Sequence, residues 1–574
     1  MVTGPFSDDN VGKVCPSGSR WRQFVRGENR PLSGMSVVDS PRNIRIALLL
    51  LGALFLVQFG RTLSYGLVWD DTVFQGSFYQ QPLGRLLRST QQEQLDAVLL
   101  ETRGFHVPFD SYRPLASLSY WFDIQIAGPH AAVFHAHNVL LGLLNLFLGF
   151  ATARRLFRLG NWHAVLCAAF FGLHPLQIEA VSYVAARSDL LAGTFTLLSA
   201  LAACASADAQ KVRDRWGFAT VSALALAASL LTKEAALGIP LALLAIGFVQ
   251  GRPRAFAATA AVQTAAIGVW LFLRALLLHS ADGLNGESPM AMILAIPAVL
   301  AGYVEALLLP TDLSIERPFH TGWVPWCLAL AVILAAALFL ARKRQGPGGA
   351  AAQASSGLCW SGALLATSPF GVYSFHVLSD RYVYASLLGL IVACSALLGE
   401  ISHHRPRLTP FILGLSLLWT TALLPIAVRQ VRTWRDDTAL YAHALGMQPD
   451  SSMANYHVGT VLAQDQRWEQ ALPFFSRAAA LDPYNVFALN NQGVTLLNLG
   501  RWADAIQTLK RAVALTGGLN YRAIFNIGVA HDGAGRIEQA CKAYARANKV
   551  NPVYEPAKLA FRDRCASSPG PAAP

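Results

Sequence analysis

The sequence predicts an all-α protein in two parts, a polytopic membrane helix bundle of about eleven spans followed by an extracytoplasmic α-solenoid. Three observations carry that prediction. The chain is 53% hydrophobic and only 14% charged, with a mean hydropathy of +0.38, whereas about a quarter of residues are charged in soluble domains. Its first 430 or so residues are apolar runs separated by short charged loops. The remainder repeats with a fixed internal spacing of thirty-four or thirty-five residues, the mark of stacked helical hairpins.

The elements follow in order. Residues 1–42 are polar, Arg-rich and aperiodic, and are expected to be disordered, with Met35 an alternative start. The first long apolar run begins at Ile44 and lacks a small-residue cleavage site after it, so it reads as an uncleaved anchor. Arg42 and Arg45 flank this span, which places the N-terminus in the cytoplasm by the positive-inside rule. Spans two to seven are expected over about 132–150, 162–173, 190–205, 218–231, 235–249 and 256–278. The basic clusters Arg154-Arg155/Arg158, Lys211/Arg213/Arg215 and Arg252/Arg254 then all fall on the cytoplasmic side.

Met290 to Leu309 is long enough to cross, but crossing would put Arg342-Lys343-Arg344 outside, so it reads as re-entrant or interfacial. Spans eight to eleven cover about 326–341, 358–373, 383–398 and 410–428, with Gly346 to Ser356 a flexible inner loop. Eleven spans leave the C-terminal part outside. Several of these spans are nearer fifteen residues than the usual ~20 of a transmembrane helix.

In the tail, Gly459, Ala471, Phe475, Ala478 and Pro483 recur as Gly493, Ala505, Leu509, Ala512 and Gly517, and again as Gly528, Ala540, Tyr544, Ala547 and Pro552. Small residues sit where the two helices of a hairpin touch, and a larger one fills the groove between them. The pattern resembles tetratricopeptide repeats, with a half repeat around Leu440–Pro449 joining the last span to three full repeats. The chain thus divides into 1–42, a multispan domain over 43–430, a connector over 431–450, repeats over 451–562 and a disordered tail over 563–574. Such arrays bind proteins or peptides, and Asn455, Asn490, Asn491, Asn526 and Arg522 are candidates to line the groove; the alternative is a plain scaffold.

The excess of 46 basic over 34 acidic residues lies mainly in the clusters that set topology and implies no nucleic-acid partner. The eight cysteines form no C-x-x-C pair, five of them lie in or at the ends of apolar runs, and neither a zinc site nor a disulfide framework is implied. Cys541 and Cys565 pair only if the tail folds back.

Five segments carry charge that an anchor would not need: Trp69-Asp70-Asp71, Tyr112-Arg113-Pro114-Leu115, His174-Pro175 through Glu179-Ala180-Val181 to Arg187-Ser188-Asp189, Lys233-Glu234, and Asp380-Arg381-Tyr382. The span count brings all five to one side of the membrane, where ionisable groups mark a functional site. An acceptor hydroxyl attacks carbon only if a carboxylate takes its proton as the bond forms, and Asp70 is favoured over Asp71 for that task, with an N-cap pair as the structural alternative. A phosphate leaving group calls for cationic donors; Arg187 and Arg381 are preferred, with Arg113 and Lys233 next, against the alternative of ion pairs with Asp189, Asp380 or Glu234. Glu179 is expected to position acceptor or balance an arginine, with His174 and Tyr382 in support. No cluster has metal-ligand spacing, so no obligatory metal is expected, although Asp70, Asp71 and Glu179 leave a divalent ion open.

These strings, in this order and with the C-terminal repeats, resemble the transmembrane and tetratricopeptide repeat-containing family of protein O-mannosyltransferases, from about Ile44 to Ala560. The resemblance implies a GT-C-type glycosyltransferase that takes a sugar from a polyprenyl-phosphate donor, with its catalytic acid in the first external loop. The array is short and the Ala/Leu/Arg-rich composition looks bacterial, which points to an inner-membrane protein. The alternatives are a non-catalytic membrane scaffold for envelope assembly and an oligosaccharide ligase of the O-antigen type. A transporter fits less well, because the spans show no internal repeat.

Overall fold

The structure is a computed structural model that describes residues 40–69, 71, 82–86, 112–277, 289–311, 313–315, 317, 324–366 and 378–565. The expected disorder of 1–42 falls almost wholly outside the described residues, as does that of the tail beyond 565; Asp70 is outside them too.

The described secondary structure is helical throughout. Helix α1 (Pro41–Phe59) starts on Ser40, whose Oγ accepts the Asn43 N–H, with proline at its first position where no N–H is needed. Next among the described residues, after a short helical turn at Leu83–Leu86, come α2 (Pro114–Ala127), α3 (Ala131–Arg155) and α4 (Asn161–Leu173). At His174-Pro175 the chain bends by 53° into a broken second half ending at Ser182. Then follow α5 (Arg187–Asp208), α6 (Val212–Leu230), α7 (Ile239–Val249), α8 (Ala257–Leu277) and α9 (Pro289–Leu308). The membrane part closes with α10 (Val324–Gln345), α11 (Ala350–Leu365), α12 (Leu387–His404) and α13 (Thr409–Thr433).

Among the described residues seven helices are long and apolar enough to cross a bilayer unaided, or eight if the bent pair counts as one span. The spans expected over 218–231 and 235–249 are the shorter or more polar helices α6 and α7, whereas the one expected over 358–373 is displaced: α11 covers Ala350–Leu365, and 367–373 lie outside the described residues. On α10 only 6% of the apolar window is buried, with Leu330, Val332 and Ile333 bare, an apolar face of the kind that meets lipid or another protein. Inside the bundle small polar groups join helices: the Ser199 and Ser222 hydroxyls each donate to the other's backbone carbonyl at 2.7 Å, tying α5 to α6.

One expected loop is corrected. Ala350 to Ser356 is not flexible but forms the first two turns of α11, with Ala351, Ala352 and Ala354 buried. Alanine is the best helix former, and the Gln345 side-chain oxygen accepts the Ala351 N–H at the new helix start; only 346–349 remain as a turn.

The last span runs directly into α14 (Asp437–Met447) and three helical hairpins, α15 (Ser452–Gln464) with α16 (Trp468–Leu481), α17 (Val486–Asn498) with α18 (Trp502–Leu515), and α19 (Tyr521–Gly533) with α20 (Ile537–Val550). A Cβ on Gly459, Gly493 or Gly528 would stand 2.9, 2.5 and 2.5 Å from Phe475, Leu509 and Tyr544, so each hairpin closes on a glycine against its large residue. Ala471, Ala505 and Ala540 are fully buried beside them. Helix α21 (Glu555–Cys565) folds back on α20, and a Cys541–Cys565 disulfide joins the two. The spacing of the cysteines alone left that bond undecided, because it depends on this last helix turning back.

Candidate functional site

The five charged segments meet. Asp71 is fully buried, and its carboxylate accepts the backbone N–H groups of Ala185 at 2.7 Å and Val184 at 3.2 Å. It therefore ties the first loop to the turn that precedes α5. Glu179 lies on a five-residue helix, Ile178–Ser182, just past the bend. It accepts the Ser379 hydroxyl at 2.7 Å, the Arg381 N–H at 3.2 Å and the Arg381 guanidinium at 3.3 Å, joining that helix to the loop before α12.

Lys233 donates to Asp189 and lies 4.7 Å from the Tyr382 ring centre. Arg113 pairs with Glu234 at 3.0 Å, and Arg274 takes the other oxygen of the same carboxylate at 3.0 Å. Burial pulls the Lys233 ammonium below the ordinary lysine range; Asp189 opposes this, while Arg113 and Arg381 are close enough to push it down further. Three cations from three loops thus lie near one another, each on its own carboxylate: Lys233 on Asp189, Arg113 on Glu234 and Arg381 on Glu179. A small cleft runs from Asp189, Arg381 and Tyr382 between helices to Gly193, Thr196 and Leu364.

Arg187 is placed elsewhere. Its guanidinium is wholly enclosed, pairs with Asp123 at 2.5 Å, and donates to Asn138, to the Phe134 carbonyl and to the Ser119 carbonyl. It braces α2 and α3 against α5 behind the cluster. The expected partners also exchange: Arg187 does not take Asp189, and Arg381 takes Glu179, leaving Asp380 to Arg317 at 3.0 Å. Side chains one or two apart on a helical turn do not face each other, so neighbours in sequence lose to groups from other loops. Burial raises the Asp380 carboxyl above the ordinary range, Arg317 opposing and Glu179 adding to it. His174 donates from Nε2 to the Leu307 carbonyl at 3.0 Å and accepts the Leu176 N–H at Nδ1 at 3.2 Å, which holds the bend. Among the described residues no three His, Cys, Asp or Glu side chains are grouped to hold a metal.

Sequence reasoning missed Asp123 and Asn138, Arg317, and an aromatic ladder in which Trp69 stacks on Tyr183 at 5.4 Å and Tyr183 on Trp434 at 5.3 Å. The first pair carried a signal, polar residues inside apolar segments. The ladder carried none, since its members lie more than a hundred residues apart.

Residues 438–486, 474–507 and 521–554 match the tetratricopeptide repeat family. The chain is 32% identical over 190 residues to protein O-mannosyl-transferase Tmtc1 of Drosophila melanogaster, covering 32% of this chain and 21% of that protein. It is 30% identical over 206 residues to protein O-mannosyl-transferase TMTC2 of Homo sapiens, covering 33% and 22%. A third relative, protein O-mannosyl-transferase F38B6.6 of Caenorhabditis elegans, is 21% identical over 371 residues, 62% of this chain and 51% of that one. The chain therefore spans about a fifth of the length of the first two and about half of the third. Among solved structures, ArnT from Cupriavidus metallidurans bound to undecaprenyl phosphate aligns over 87% of this chain and 79% of its own at 15% identity and a TM-score of 0.38. The resemblance carried by the motif order is thus matched by similarity to these O-mannosyl-transferases, joined to tetratricopeptide repeats.

Proposed function

We propose that this chain is a membrane glycosyltransferase that moves a hexose, mannose or a relative of it, from a polyprenyl-phosphate donor to an acceptor hydroxyl. The observation that carries the reading is the meeting of three ion pairs from separate loops, Lys233 with Asp189, Arg113 with Glu234 and Arg381 with Glu179, where Asp189 and Arg381 also line a small cleft. A phosphate headgroup competes with these carboxylates for the cations through charge-assisted hydrogen bonds, while its lipid tail lies between helices.

Asp70 is the proposed base. Asp71, its neighbour, already spends its oxygens on Val184 and Ala185, which favours Asp70 for the proton. As the acceptor oxygen bonds to the anomeric carbon, Asp70 takes its proton, the carbon–phosphate oxygen bond breaks, and the lipid phosphate departs against the cations. This is a single displacement with inversion. Arg381 leads the phosphate contacts, Lys233 and Arg113 follow, and Arg187 serves as the brace behind them. Glu179 holds the Arg381 loop in place, and the lipid-linked sugar is the only co-substrate the step needs.

The site is proposed to open on the periplasmic face of a bacterial inner membrane, with the N-terminus cytoplasmic and the array outside. The array is proposed to hold the acceptor, a protein or peptide. Purified chain with undecaprenyl phosphate mannose and a Ser/Thr peptide tests the chemistry. Asp70→Asn is expected to lower transfer about 10²- to 10⁴-fold, the usual worth of a general base, while inserting normally. Full transfer by Asp70→Asn would falsify the assignment, and a deletion phenotype restored by it would favour the scaffold.

A further inference from the structure

Two acidic residues open the first helix of the array, and they do different things. Asp436 caps its own helix, its Oδ1 accepting the Ala439 N–H at 2.8 Å. Asp437 instead reaches across 368 residues of sequence, and its Oδ1 accepts the backbone N–H of Trp69 at 2.9 Å. Close by, the Gly66 N–H donates to the Arg435 carbonyl at 3.2 Å. Two amides of the first loop are thus fastened to the start of the array.

Trp69 needs the fastening. Its φ of +53° lies in the left-handed region, which is strained for an L-residue and for a bulky side chain persists only where the surroundings over-determine it. The surroundings are the Asp437 carboxylate on one side and the aromatic ladder on the other. Trp434, the last rung, is buried and sits at the end of α13, three residues before Asp437. Arg381 lies 5.7 Å from the Trp69 ring and 5.2 Å from the Tyr183 ring, so the ladder also shelves the leading phosphate ligand. The elbow itself is anchored: Gln430 and His443 both reach the Leu313 carbonyl, at 3.3 and 2.9 Å.

We infer that Asp437 is a positioning residue, through which the junction between span and array holds the Trp69-Asp70-Asp71 turn in its working conformation. This rests on the function proposed above. It deepens that reading by making the array part of the site's geometry rather than a passive acceptor dock. The Asp437 carboxylate meets the backbone N–H of the residue just before the proposed base, where the requirement is an acceptor oxygen rather than a charge.

The test compares Asp437→Ala, Asp437→Asn and Asp436→Ala in the full chain, with undecaprenyl phosphate mannose and a Ser/Thr peptide as probes. Asp437→Ala is expected to lower kcat tenfold or more with the KM for the lipid donor within twofold of the parent. Asp437→Asn keeps an oxygen for the Trp69 N–H and is expected to remain within threefold of the parent, as is Asp436→Ala. Hydrogen exchange across 66–71 is read alongside, because it needs no turnover. Protection should fall in Asp437→Ala and persist in the other two. Unchanged protection in Asp437→Ala, equal losses in Asp437→Ala and Asp437→Asn, or an equal loss in Asp436→Ala would each overturn the inference. A parent that transfers nothing, with protection lost only in Asp437→Ala, would sink the proposed reaction and leave the clasp standing.

Discussion

At the scale of single residues, the contrast between Arg187 and Lys233 separates bracing from binding. Arg187 and Asp123 are buried together, and removing the arginine leaves the Asp123 carboxylate with only His137, at 2.9 Å on its other oxygen. Arg187→Leu is therefore expected to destabilise the chain by about 3–5 kcal/mol, read as lost yield and a lower Tm in detergent. Adding Asp123→Leu should recover much of it; a stable, inactive Arg187→Leu would instead return this arginine to the phosphate. Lys233 makes a prediction in pH. Its folded pKa lies below the ordinary value, so the unfolded chain holds that proton more tightly and, between the two values, stability rises with pH. An alkaline loss of rate is then a loss of the phosphate-binding charge and not of the fold, and should begin below the ~10.4 of a free lysine. Asp189→Asn removes the one opposing charge of first rank and should move that limb to lower pH; a fixed limb would clear Lys233 of the role. Most of these side chains were legible as candidates in the sequence, since charge beside an apolar run needs a reason. Their partners were not, because pairing is a property of three-dimensional approach: Arg187 met Asp123, sixty-four residues away, and not Asp189 two positions on.

Helices decide where those side chains arrive. The loop carrying Arg381 is set by the crossing of α11 and α12, where Gly357 and Gly389 lie face to face: a Cβ on either would stand 2.3 Å from the other's backbone oxygen. Around that contact the Trp360 indole N–H donates to the Ala385 carbonyl at 2.9 Å and the Ser361 hydroxyl to the Ser386 carbonyl at 2.7 Å, fixing the end of the Arg381 loop. Close approach of backbones through small residues is how helices associate without a hydrophobic drive in lipid. Gly389→Ala must push the two helices apart, since backbone has no rotamer to turn away. The expected result is an overpacking loss of about 1–3 kcal/mol and weaker donor binding, seen as a raised KM with the chain still folded. An unchanged Tm and KM would show that the loop is positioned from elsewhere. The apolar runs announced these helices, but periodicity alone could not say that Ala350–Ser356 belonged to one of them, because an Ala- and Ser-rich stretch next to two glycines reads equally as linker. What tipped it was a neighbour, the Gln345 side chain at the helix start.

For the whole molecule the governing question is which side of the membrane holds the array, and the fold supplies its own reporter. Positive charge in the loops argues for the outside, and that reasoning was available from sequence once the Met290–Leu309 segment was withheld from the count. The disulfide was not available, since Cys541 and Cys565 meet only because α21 turns back on α20. Disulfides persist in oxidising compartments and are rare in the cytosol. Closing a loop of this length restricts the unfolded chain by roughly 3 kcal/mol, so the bond gives the last hairpin a lasting cap where it can form. In intact cells the two cysteines should resist a thiol-specific maleimide until a reductant is added, then take up two labels that Cys541→Ser/Cys565→Ser lacks. A membrane-impermeant maleimide should succeed as well as a permeant one once the outer barrier is opened. Labelling without reductant, or only by the permeant reagent, would place the array in the cytoplasm. Because Trp69 is fastened to Asp437, that outcome would carry the first-loop aspartates to the cytoplasmic face with it and require a donor presented from inside.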